Sequence, residues 1–116
     1  MTFTVPGNPI PWQRSQSNGR RHFTASATRA YQAKVKLCAR AARLPRLFGP
    51  VTLTVVAYRK NAHRCDWDNL GKTISDALNG IAYEDDSQID DARVLKRIDR
   101  INPRAEVFIR PSTEES

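Results

Sequence analysis

The sequence predicts an α/β (α+β) fold, and three observations predict it. Val51–Tyr58 is β-branched and alternating, two longer segments carry apolar residues at helical spacing, and strand candidates stand near both ends. Pattern alone gives the order β-loop-α-β-α-(?)-β, with one element open. A single domain over residues 1–116 is expected, because this length lies near the modal domain size.

Taken in order, Phe3–Val5 reads as a short strand closed by Pro6-Gly7. Residues 8–25 are rich in Pro, Gln, Ser, Asn, Gly and Arg and read as a long loop. A helix follows from Ser26, a suitable N-cap, to Leu44, where Pro45 stops it. Tyr31, Val35, Cys38 and Ala42 share its apolar face, with Arg29, Lys36, Arg40 and Arg43 opposite. After the Val51–Tyr58 strand, Asp68 to Asn79 predicts a second helix. Asp68 suits its N-cap, Leu70, Ile74, Ala77 and Leu78 form the buried stripe, and Gly80 suits the residue past its end. Val94, Leu95, Ile98 and Ile101 have helical spacing, yet their segment lacks caps and runs into Asn102-Pro103. Periodicity by itself reads it as helix. Ala105–Ile109 is a strand, and residues 111–116 read as a loose tail.

Charge is distributed unevenly. The chain has 19 Lys+Arg against 12 Asp+Glu, a net charge of +7. Its first 65 residues hold twelve bases and no acid, and all twelve acids follow from Asp66 onward beside seven bases. Such a division points to a polyanionic partner, and the overall basicity fits a nucleic-acid binder. No apolar run reaches the roughly 18 residues of a membrane span, and no charged n-region precedes an apolar stretch at the start. Cys38 and Cys65 make neither a disulfide framework nor a paired zinc knuckle. A reduced, cytoplasmic protein is expected, without membrane association or an organic cofactor.

The chemistry concentrates in Cys65-Asp66-Trp67-Asp68-Asn69-Leu70-Gly71-Lys72, with Glu84-Asp85-Asp86 beyond. Asp66 and Asp68 are two apart, so in an extended approach to a helix both carboxylates point one way. Carboxylate oxygens are the hard ligands Mg²⁺ prefers, usually one or two per ion with waters and substrate phosphate completing the shell. A third acid from another segment closes such a site, and Asp85 and Asp86 supply it if the chain folds back. Lys72 lies one turn beyond Asp68 on the same face. A cation in a first helical turn opposes the macrodipole at about 0.3–1 kcal/mol. Beside a metal-bound phosphate it instead neutralises developing charge. The plain alternative is a surface pair, Asp68–Lys72 or Lys72–Asp76. Competing readings of the acids fail. A calcium loop starting at Asp66 places Leu70 and Ala77 where oxygen ligands are needed. No apolar strand precedes Asp66 as it does an aspartyl-phosphate nucleophile, and His63 with Cys65 lacks a second zinc pair.

Asp66-x-Asp68-Asn69-Leu70-x-Lys72-x-x-x-Asp76-Ala77-Leu78-Asn79-Gly80, followed by Tyr83-x-Asp85-Asp86-x-Gln88-Ile89, closely resembles the signature of the RusA-type Holliday junction resolvases. Val5-Pro6-Gly7-Asn8-Pro9-Ile10-Pro11, Arg14 and Tyr31 are also similar to the opening of phage-encoded members, although the loop around Arg14 is less basic here. The resemblance covers about residues 3–110. It implies a Mg²⁺-dependent endodeoxyribonuclease, with Mn²⁺ as a possible substitute, that acts as a homodimer and nicks a four-way DNA junction symmetrically. It implies metal at Asp66, Asp68 and Asp86, with the neighbouring Asp85 a further candidate ligand whose role stays open, and cleavage dependent on Lys72. It also implies a small mixed sheet of about four strands with two helices, order β-α-β-α-β-β. The open element then becomes a strand, residues 92–101, expected to pair with 104–110 as a hairpin.

Arg14, Arg20, Arg21, Lys60 and Arg64 are the expected DNA contacts, because they lie in loops or at a strand end leading to the acids. Trp12 or Phe23 could stack on unpaired bases at a crossover, with core packing the better expectation for Phe23. The competing functions are a non-catalytic basic nucleic-acid-binding module, whose acids form surface ion pairs, and a metal-dependent nuclease without junction preference.

Overall fold

A computed structural model describes residues 1–12, 22–62 and 67–113, with side chains in the first helix described from residue 26 onward. The elements are β1 (Thr2–Pro6), α1 (His22–Ala41), β2 (Val51–Arg59), α2 (Trp67–Ala77), a 3-10 turn (Asp86–Gln88), β3 (Ile89–Ile98) and β4 (Arg104–Pro111). They build a four-stranded mixed sheet in the order β1-β4-β2-β3 with two helices, the α+β class expected. No described helix is long and apolar enough to cross a membrane.

Strand alternation sets the sheet's two faces. Leu53, Val55 and Ala57 of β2 and Ala105, Val107 and Ile109 of β4 are buried, while Val56, Tyr58, Glu106 and Arg110 between them are only half-covered. The buried rows, with Phe3 and Val5 of β1, form one core with Tyr31, Val35 and Ala39 of α1 and Ile74, Ala77 and Leu78 of α2 and the segment after it. Truncating one of these, such as Ile74→Ala, costs about 2–5 kcal/mol.

The segment that periodicity reads as helix is a strand, but it makes no hairpin with β4. β3 pairs parallel with β2, in register Val55↔Val94, and β4 instead lies between β1 and β2, antiparallel to both. The cause is burial. Ala105, Val107 and Ile109 fit β4 to a central place, whereas no residue of β3 is fully buried, as suits an edge. The β2–α2–β3 connection is the helical crossover that parallel neighbours require.

Helix ends also differ from the sequence reading. α1 begins at His22, so Ser26 lies within it and its hydroxyl accepts from Arg29 at 3.3 Å. α1 stops at Ala41, ahead of a left-handed turn at Arg43 (φ 56°), so Ala39 replaces the exposed Ala42 in the buried stripe. α2 begins at Trp67, which makes Asp68 a first-turn residue rather than the cap. It ends at Ala77, and Gly80 takes the left-handed turn there (φ 79°) as anticipated. The tail is tied down as far as Ser112. Its N–H donates to Pro50 O at 2.9 Å, and its hydroxyl bonds Thr52 and Asp90.

Candidate active site

The site forms where α2 leans on β3. Leu70 and Ile74 bury one side of α2, which leaves Asp68 and Lys72 exposed on the other. Gly71 permits the close approach: a Cβ there would stand 2.9 Å from Val94 Cγ2. Gly71, Ser75 and Ala92 are small, and beside them opens a cleft of about 300 Å³. Asp68, Lys72 and Asp86 all line it, with Trp67 at its rim. A carboxylate beyond the second helix therefore lines the same cleft as the helix's first turn.

The return is built by Gln88 and Tyr83. The Gln88 side-chain carbonyl accepts from the N–H groups of Glu84 (2.9 Å) and Asp85 (3.1 Å), and its amide donates to the carbonyls of Leu47 (3.0 Å) and Gly49 (2.9 Å). One side chain thus clamps the loop that carries Asp86 to the segment entering β2. Tyr83, fully buried, donates its hydroxyl to Ser75 O at 2.6 Å and ties the same loop to α2. Burial first, then the charges of Asp86, Asp76 and Asp85, push the Tyr83 hydroxyl well above its ordinary value. Asp85 caps the 3-10 turn, its carboxylate accepting from Ser87 N–H at 2.9 Å in a capping box with Gln88. The Ser87 side chain first, and its N–H second, hold the Asp85 carboxyl below its usual range. The two neighbouring acids therefore have different surroundings: Asp85 holds the turn, and Asp86 faces the cleft.

Lys72 pairs with Asp76 at 3.8 Å, so one of the two surface pairs considered from sequence does form. Asp86 also stands near enough to act on Asp76. Burial first and this neighbour second raise the Asp76 carboxyl above the usual range, against the lowering pull of Lys72. Two carboxyls held that close repel one another until a proton or a cation sits between them.

These oxygens fit a hard divalent cation: Asp68 and Asp86 face one cleft, the one or two carboxylates a magnesium ion commonly takes. Among the described residues no group of three acids, histidines or cysteines stands together at ligating distance. Asp66, Arg14, Arg20, Arg21, Arg64 and the zinc candidates His63 and Cys65 lie outside the described residues, as does the side chain of Phe23. Lys60 sits just past β2 with an exposed side chain, and its N–H donates to Asn8 Oδ1 at 2.8 Å.

Sequence reasoning missed the work of Gln88, although Asp85-x-x-Gln88 has capping-box spacing and was legible as such. Trp12, considered from sequence only as a base-stacking residue, lies with its ring against Lys72; no local pattern signals that contact.

Compared with known proteins, residues 6–110 match the family model described as endodeoxyribonuclease RusA. A Bacillus subtilis (strain 168) relative, described as "Uncharacterized protein YqaN", is 30% identical over 134 aligned positions, spanning 93% of this chain and 94% of that protein.

Proposed function

The chain belongs to the RusA endodeoxyribonuclease family, and from that premise we propose that it is a Mg²⁺-dependent endonuclease that resolves four-way DNA junctions by paired nicks. The observation that carries this reading is the convergence of Asp68, Asp86 and Lys72, from separate parts of the chain, on one cleft.

In this reading Asp68 and Asp86, with Asp66, would hold the divalent ion. Once bound, such an ion lowers the pKa of water and draws in a phosphate oxygen. The protein's own groups do the rest. The carboxylates fix where the scissile phosphate lies, and the clamp through Gln88 and Tyr83 keeps Asp86 at its station. Lys72 offers an ammonium where negative charge develops on the attacked phosphate or the leaving oxygen. Asp85 serves as a cap rather than a ligand. Arg14, Arg20, Arg21, Lys60 and Arg64 hold the DNA backbone, each neutralised phosphate steepening the salt dependence by about 0.9 on a log–log scale. Paired cuts in two like strands call for two like sites, which a C2 homodimer supplies. The chain acts as one nuclease domain in the cytoplasm.

The test separates binding from cutting. Asp68→Asn, Asp86→Asn and Lys72→Ala are each expected to bind a four-way junction like the parent protein and to nick it at least a hundredfold more slowly. Variants that still nick, or that lose binding along with cutting, contradict the assignment.

A further inference from the structure

Lys72 is held from two sides. Its ammonium lies 5.0 Å from the centre of the Trp12 ring and 3.8 Å from Asp76 Oδ2. Trp12 is remote in sequence and arrives on a strap pinned along its length. Gly7 N–H donates to Pro103 O at 3.0 Å, and Asn8 Oδ1 accepts from Lys60 N–H at 2.8 Å. Pro11 O accepts from the Thr28 hydroxyl at 3.1 Å, and Trp12 N–H donates to Asn69 O at 2.9 Å. The last bond fixes the Trp12 backbone to the first turn of α2, just ahead of Lys72.

We infer that Trp12 is a positioning residue for Lys72. A lysine ends in a point charge on a flexible four-carbon stem, so something must choose its direction. Asp76 alone, one turn onward on the same helix, draws the ammonium along α2. An aromatic face within about 6 Å of the ammonium supplies a second attraction, and here that attraction comes from another part of the chain. The strap also leads straight into residues 13–21, which carry Arg14, Arg20 and Arg21. The inference rests on the proposed function for its catalytic meaning, and on geometry alone for the contact.

The experiment has two arms, each run on the full chain with Trp12→Leu and Trp12→Phe. In single-turnover cleavage at saturating junction, Trp12→Leu is expected to lower the rate roughly two- to fivefold at unchanged Kd, and Trp12→Phe to restore most of it. In NMR without DNA, the Lys72 ε-methylene protons are expected upfield under the ring current and to move downfield in Trp12→Leu. Lys72 resonances that do not move overturn the contact. A weakened Kd at unchanged rate overturns the positioning role and makes Trp12 a DNA contact. If the parent protein cuts no DNA, the proposed function falls, and the NMR arm still decides whether Trp12 holds Lys72.

Discussion

Replacing Gln88 with alanine removes four hydrogen bonds at once, those to Glu84, Asp85, Leu47 and Gly49. All four partners are backbone groups near the surface, so water reaches them when the side chain is gone. The low end of the usual range for a net hydrogen bond, near 0.5 kcal/mol each, then applies, and the total is about 2 kcal/mol. For a chain of this length that lowers Tm by about 6–10 °C. The loss falls on the loop that carries Asp86, so a second effect is expected: the Mg²⁺ concentration for half-maximal cleavage rises severalfold, while the rate at saturating Mg²⁺ stays near that of the parent protein. Melting curves and a Mg²⁺ titration of single-turnover cleavage measure the two together. A lowered Tm with unchanged Mg²⁺ dependence would refute the argument that Gln88 acts through Asp86. An unchanged Tm would refute the clamp itself.

Three further outcomes are expected. Gly71→Ala puts a Cβ 2.9 Å from Val94 Cγ2, and such overpacking costs about 1–3 kcal/mol, partly offset by alanine's better helix propensity; Gly71→Ala combined with Val94→Ala should recover more stability than the single costs added together allow, as a double-mutant cycle in Tm would reveal. Asp85→Ala, which loses only a cap, should go on cutting, whereas Asp86→Asn should not, and equal inactivation in gel assays would mean that both acids serve the chemistry. The folded-state pKa of Asp76 is raised, so the metal-free protein binds that proton more readily folded than unfolded, and stability from this group is lost as pH rises through the raised value. Acidification of the metal-free protein through that raised value should therefore raise its Tm, and Asp76→Asn should flatten that rise. Asp85 and Asp99 are held below the usual carboxylate range, so their stabilisation fails only at lower pH and does not mask the effect.

Much of the architecture was legible because it is local. The Leu70, Ile74, Ala77 and Leu78 stripe, the alternation of Val51–Tyr58 and the left-handed Gly80 each follow from a short window of sequence. The partner of β3 was not, because strand neighbours are chosen by how much of each strand is buried, and periodicity on one strand cannot say which other strand lies beside it. The same holds within the site. Asp68 and Lys72 share a helix face by spacing alone, but the return of Asp86 depends on Tyr83 and Gln88 reaching across to Ser75, Leu47 and Gly49. Helix starts were misplaced for a simpler reason: Ser26 and Asp68 are good caps, yet α1 and α2 begin before them.

The central claim is that this cleft cuts DNA at branch points with a metal held by its carboxylates. Its most direct test is to incubate the protein with Mg²⁺ and either a four-way junction or a linear duplex of the same sequence, with Asp68→Asn in parallel. The account predicts symmetrical nicks in opposed strands of the junction, little cutting of the duplex, and none by Asp68→Asn. Equal cutting of both substrates would contradict junction specificity, and cutting of neither would contradict the enzyme itself.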